Sequence, residues 1–133
     1  MVQAKPAVRS NSKIVVEKNI RHILSYMPGK TKKQKEYAFF EQIVALRRPP
    51  RGQQFGWKFT PYAMEKWVMG GGFIIYFADA KKYLNSLGIN PQKKKYSDNK
   101  AWGLYVNLMV RDGTKLFDRL RKENPTWWDK ASR

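Results

Sequence analysis

In residues 13–27, KIVVEKNIRHILSYM, the apolar side chains Val16, Ile20, Ile23 and Met27 recur at intervals of four, three and four. That spacing collects them on one face of a helix. Ser10, Asn11 and Ser12 offer N-caps before it, and Pro28-Gly29 stops it. Residues 32–48 give a second helix, with Thr31 as a cap and Phe39, Phe40, Ile43, Val44 and Leu46 on its apolar side. Pro49-Pro50 ends it. Two helices joined by a Pro-Gly turn make a helical hairpin. The segment before it, residues 1–12, reads as an extended arm, because Pro6 turns Lys5 away from helix.

Residues 61–87 predict one long third helix. Thr60 caps it, Pro61 takes the first helical position, Gly88 closes it and Pro91 follows. Gly70-Gly71-Gly72 lies in its middle, and three interior glycines cost roughly 2–3 kcal/mol against alanine. The expectation is a continuous or kinked helix in which the glycines admit a close neighbour, with a true break at the glycines as the other reading. A short strand at GFIIYF, residues 72–77, is the competing assignment. Residues 98–123 predict a fourth helix capped by Ser97. Trp102, Tyr105, Val106, Met109, Leu116, Phe117 and Leu120 share one broad face, and Gly113 is a point where it could divide. Pro125 ends that helix, and TWWDKASR follows as a tail. The fold class is all-α. A basic arm and hairpin (1–57) precede a bundle of two long helices (58–133), four helices in all.

Charge alters this picture. Twenty-seven Lys and Arg face ten Asp and Glu, giving +17 and a pI near 10.2. Such a chain repels itself unless a polyanion neutralises it. The charge is uneven: residues 1–57 hold twelve basic and three acidic residues, net +9, whereas residues 97–133 hold eight and five, net +3. A membrane surface is the weaker partner, since no basic helix has a clean apolar face without a core role. The longest apolar stretch, WVMGGGFIIYFADA, is broken by glycines and by Asp79, and falls short of the roughly 18 residues that span a bilayer. Residues 1–13 lack the continuous apolar run of a secretory signal. The absence of cysteine excludes disulfides and thiolate metal sites, and suits a reducing or hot environment.

Catalytic chemistry finds few candidates. Gly29-Lys30-Thr31 ends like a phosphate-binding loop, but the glycine required five residues earlier is Leu24, inside a helix. Lys30 and Thr31 are better read as turn, cap and polymer contact. The single histidine, His22, has no ligand partners in sequence, and Glu17, five residues back, points to a different helix face. It is expected on the helix surface or facing the nucleic acid. The acids do not cluster as a two-metal nuclease needs, and Asp118 with Lys122 reads as a surface pair. No enzyme activity, catalytic residue, metal site, cofactor or small-molecule substrate is expected.

The informative set is basic: Lys5, Arg9, Lys13, Lys18, Arg21, Lys30, Lys32, Lys33, Lys35, Arg47, Arg48 and Arg51, with Lys93, Lys94 and Lys95 as a second cluster. Lys32, Lys33 and Lys35 occupy a first helical turn, where anions are preferred. An external anion would relieve that conflict. A net +9 region matches about nine phosphates, or four to five base pairs of duplex. Gln34, Gln42 and Asn19 could read bases, but nothing marks them out, so phosphate contacts and duplex shape should dominate. Trp102, Trp127 and Trp128 are candidate subunit contacts, because two adjacent large rings near a chain end rarely both find cover within one small molecule.

A basic arm, a basic hairpin and a long-helix packing module resemble the major coat proteins of filamentous and rod-shaped viruses of hyperthermophilic archaea. The resemblance is architectural and rests on no diagnostic motif. It implies an N-terminal region that wraps linear double-stranded DNA, held in A-form, inside a helical virion assembled in the host cytoplasm. It implies self-association, with a paralogous coat protein as a further partner in some members, and is compatible with an outer envelope. Arg9, Lys13, Arg21, Lys32, Lys33, Lys35, Arg47 and Arg48 would then line the DNA. Trp102, Trp127 and Trp128 would sit in the shell or between subunits. Gly70–Gly72 matches no feature of that family. Two other readings stay open: a chromatin-like DNA-binding protein, and an RNA-binding or ribosomal protein.

Overall fold

The chain enters its first helix at Ser12, whose backbone is extended and whose side-chain oxygen accepts the Val15 N–H at 3.3 Å. A computed structural model describes residues 9–47, 61–70, 77–88 and 98–131. Among them are six α-helices and no strand: α1 Lys13–Ser25, α2 Lys32–Arg47, α3 Pro61–Met69, α4 Phe77–Ser86, α5 Asp98–Glu123 and α6 Pro125–Ala131. The all-α class therefore holds, and the count of four helices does not.

The hairpin forms as its capping residues dictate. Gly29 has φ +128°, a conformation that side-chain-bearing residues rarely adopt, and a Cβ there would meet Gln34 Cβ at 2.8 Å. Two residues on, Thr31 Oγ1 accepts the Gln34 N–H at 3.1 Å. Gln34 Oε1 in turn accepts the N–H groups of Lys30 at 2.8 Å and Thr31 at 3.2 Å. This reciprocal capping box satisfies backbone donors that a helix start leaves orphaned. Gly29-Lys30-Thr31 is thus a helix-initiating turn.

The centre of the fold is α5, which packs against every other helix. One cluster of buried apolar side chains draws on all six helices. On α1 the buried positions are Val15, Asn19, Ile20, Ile23 and Leu24, with Met27 just beyond. Phe40 of α2 stacks on Phe117 of α5 at 4.8 Å, and Phe39 meets Trp67 of α3 edge-on at 5.1 Å. Gly113 does not divide α5. It is buried, and a Cβ there would meet Met64 Sδ of α3 at 2.7 Å, so this glycine permits close approach of two helices.

Two expectations are corrected. The stretch 61–87 is two helices, because α3 ends at Met69 and Gly70 closes its last turn on the Lys66 carbonyl at 2.7 Å. After proline, glycine is the poorest residue with which to continue a helix. Phe77 of the alternative strand opens α4, and residues 71–76 lie outside the described residues. The tail is also helical. Pro125 ends α5 and then serves as the first residue of α6, where its missing N–H is harmless.

Gly29→Ala is expected to destabilise the fold by about 1–3 kcal/mol, from backbone strain and the Gln34 contact. Chemical denaturation monitored by helical circular dichroism measures this directly. An unchanged midpoint would contradict the turn geometry.

Candidate nucleic-acid interface

Helix α1 has two unlike faces. Its core residues occupy one side, and Ile14, Lys18, Arg21 and Ser25 are exposed on the other. Arg9 and Lys13 are exposed at its start, and Lys30 and Lys32 across the turn. Lys35 is half-buried on α2. Lys33 is exposed but engaged: its ammonium donates to Asn124 Oδ1 at 2.5 Å and lies 4.8 Å above the Trp127 ring. Lys5, Arg48 and Arg51 lie outside the described residues, as do Lys93–Lys95. Arg47 ends α2, and its side chain lies outside the described set too.

The arginines of α5 are in a different state. Arg111 holds Asp112 through Nε at 2.8 Å and Nη2 at 3.0 Å, and its Nη2 also donates to the Ser10 carbonyl at 2.5 Å. Arg119 pairs with Glu17 at 3.5 Å, and Arg121 with Asp118 at 3.1 Å. The expected Asp118–Lys122 pair is replaced by this Arg121 contact, three residues away on the same helix. Among the described residues, no carboxylate pairs with Arg9, Lys13, Lys18, Arg21, Lys30, Lys32 or Lys35. The arginines of α5 are spent on acids within the fold, whereas no carboxylate is spent on the cations of α1 and the start of α2.

What orients α1 is a buried polar network that the sequence reading missed. Asn19, fully buried, donates from Nδ2 to Asp112 Oδ2 at 2.6 Å and accepts the Tyr83 hydroxyl at 2.6 Å on Oδ1. Asp112 is also fully buried. Leaving a buried group without such a hydrogen bond costs about 1–3 kcal/mol. A signal for it exists: Asn19 falls four residues before Ile23 on the apolar face, and Asp112 falls between Met109 and Leu116. Polar residues at core positions need partners.

His22 extends this network and is not the surface residue expected. Its ring stacks on Tyr83 at 3.8 Å and meets Tyr26 and Tyr105 edge-on at 5.2 and 5.6 Å. Its Nε2 shares a 2.7 Å hydrogen bond with the Tyr105 hydroxyl. Burial pulls the imidazole pKa down to about 4. Burial also pushes the Tyr83 and Tyr105 hydroxyls up, with the Asp112 charge adding to the effect on Tyr83.

The tryptophans find more cover than expected. Trp127 packs against Tyr37 at 5.0 Å and Phe40 at 5.6 Å, and Trp128 against Phe117 at 6.0 Å with Arg121 above its ring at 5.0 Å. Trp102 stacks on Tyr105 at 5.8 Å. All three are half-buried; α6 folds back so that Trp127 packs on α2 and Trp128 on α5. Their removal therefore tests folding as well as association.

Among the described residues, no group of His, Asp and Glu is gathered that could hold a metal ion, and no helix is long and apolar enough to cross a membrane. No protein-family model, curated protein or solved structure matches the chain.

The folded state favours neutral His22, whereas the unfolded chain takes up its proton near pH 6.5. His22 thus contributes fully above pH 6.5, and the contribution is lost as pH falls toward 4. We expect the loss to be about 1–2 kcal/mol after allowance for the ring's partial exposure. Denaturation curves across that window should show it, and His22→Gln should flatten that part of the profile. An identical pH profile in the variant would contradict the buried site.

Proposed function

We propose that this chain is a structural coat protein that lays α1 and the start of α2 along the phosphates of linear double-stranded DNA, and that copies associate along the duplex into a helical virion. The observation that carries the reading is the partition of charge. The arginines of α5 are paired with carboxylates, while Arg9, Lys13, Lys18, Arg21, Lys30, Lys32 and Lys35 are unpaired among the described residues. Exposed cations without internal partners are what counterion-release binding uses, and such binding is independent of sequence. The capping box makes the lysine-rich start of α2 a fixed platform rather than a helix end awaiting an anion. Phosphate contact there relies on side-chain charge. The chain's net +17 also exceeds what a small protein needs for solubility.

Self-association rests on the half-exposed tryptophans and on the resemblance to coat proteins of archaeal filamentous viruses. On that reading the protein works in the virion after assembly in the host cytoplasm, with a paralogous coat protein as a candidate second subunit. Copies assembled along DNA separate this from a chromatin-like protein, which would bind without building a continuous shell.

The test is the salt dependence of duplex binding. Replacing Lys18, Arg21, Lys32 and Lys35 with alanine, and keeping Lys33 because it anchors Asn124, should weaken binding to all duplex sequences alike. The slope of log affinity against log salt should fall by up to about four units. An unchanged slope would remove these side chains from the interface.

A further inference from the structure

Between α2 and α6 runs a groove of ≈ 470 Å³, of which the DNA-coating reading uses only Trp127. Phe40 forms its buried base, and Tyr37, Glu41, Val44, Trp127 and Lys130 line it. Tyr37 is 42 % exposed and meets the half-buried Trp127 edge-on at 5.0 Å, so aromatic surface is open to the groove. Two cations accompany it. Lys130 is exposed on the wall, and Lys33 is held above Trp127 by Asn124. Lys33, Tyr37 and Glu41 stand four residues apart along α2, so the groove continues the lysine-bearing start of that helix.

Aromatic faces beside fixed cations match the two halves of a nucleotide: a flat π-face and a phosphate. In an intact duplex the base faces are already covered by their neighbours and cannot reach such a groove. An unpaired base can. We propose that the α2–α6 groove is a stacking site for a single unpaired nucleobase, with Tyr37 as the stacking surface and Lys33 and Lys130 neutralising the adjoining phosphates. The Glu41 carboxylate, an acceptor only, takes a hydrogen bond from an exocyclic amine such as that of cytosine or adenine. Thymine offers only its ring N3–H, so the groove prefers the amine-bearing bases cytosine, adenine and guanine. The proposal rests on the nucleic-acid reading above and adds single-stranded segments and ends to what the protein takes.

The experiment measures binding of the full chain to labelled oligo-dC and oligo-dT of equal length and to a blunt duplex, with helix content checked for each variant. Tyr37→Ala should weaken oligo-dC binding by about tenfold and leave duplex binding unchanged, while Tyr37→Phe should bind as the parent does. Glu41→Gln should abolish the preference for oligo-dC over oligo-dT. Equal binding of the two oligonucleotides by the parent, or oligo-dC affinity unmoved by Tyr37→Ala, overturns the proposal while duplex binding upholds the coat reading. If Tyr37→Ala instead impairs assembly on duplex DNA and spares oligonucleotide binding, the groove is a contact between copies and the stacking assignment is wrong. Oligonucleotide binding that depends on Tyr37, without any duplex binding, would leave the groove intact and defeat the coat reading.

Discussion

The fully buried Asp112 carboxylate is the constraint on which the rest of the molecule depends. It sits on the central helix, takes hydrogen bonds from Asn19 of α1 and from Arg111, and through Asn19 reaches Tyr83 of α4. A buried charge is tolerated only when its acceptor sites are filled, so this network permits one rotation of α1 about its own axis. That rotation turns Ile20, Ile23 and Leu24 inward and Lys18 and Arg21 outward. The same Arg111 reaches back to the Ser10 carbonyl, which ties down the chain just before α1 begins. An interior electrostatic requirement thus sets which cations meet solvent.

Around that anchor the acids and arginines are distributed unevenly. Glu17, Asp112 and Asp118 each engage an arginine of α5. The lysines of the hairpin are left with solvent or a partner molecule as their counter-charge. Lys33 marks the boundary between the two regimes, since it belongs to the lysine cluster yet joins α2 to Asn124 and Trp127 at the far end of α5. The aromatic packing of His22 against Tyr26, Tyr83 and Tyr105 fixes the last turn of α1 on the other side of the hairpin turn. The hairpin is therefore braced on both sides of its turn and, through Arg111 and Ser10, at the start of α1.

Much of this was legible in the sequence. The apolar stripes of α1, α2 and α5 located their helices, because each carries a helical period and an identifiable stop. Ser12 and Thr31 were readable as caps, since the residues that fill their hydrogen bonds lie within three positions. The division of the third helix was legible only as an alternative, because flanking apolar residues outweighed the glycine run in the pattern. Helix α6 was hidden because seven residues carry too little periodicity, and its stability comes from packing on Phe40 and Phe117. The setting of His22 and the Asn19–Asp112 bond depend on residues more than eighty positions apart, which no local pattern encodes. The basic set was found by composition alone. Which members were already paired could be learned only from the fold.

The account's central claim is that the unpaired cations of α1 and α2 sheathe an anionic polymer in a regular, repeating way. Electron imaging of the purified protein mixed with long linear duplex DNA at moderate salt tests it most directly. The account predicts continuous filaments of uniform diameter that follow the DNA from end to end. Naked duplexes, or isolated particles scattered along them, would contradict it.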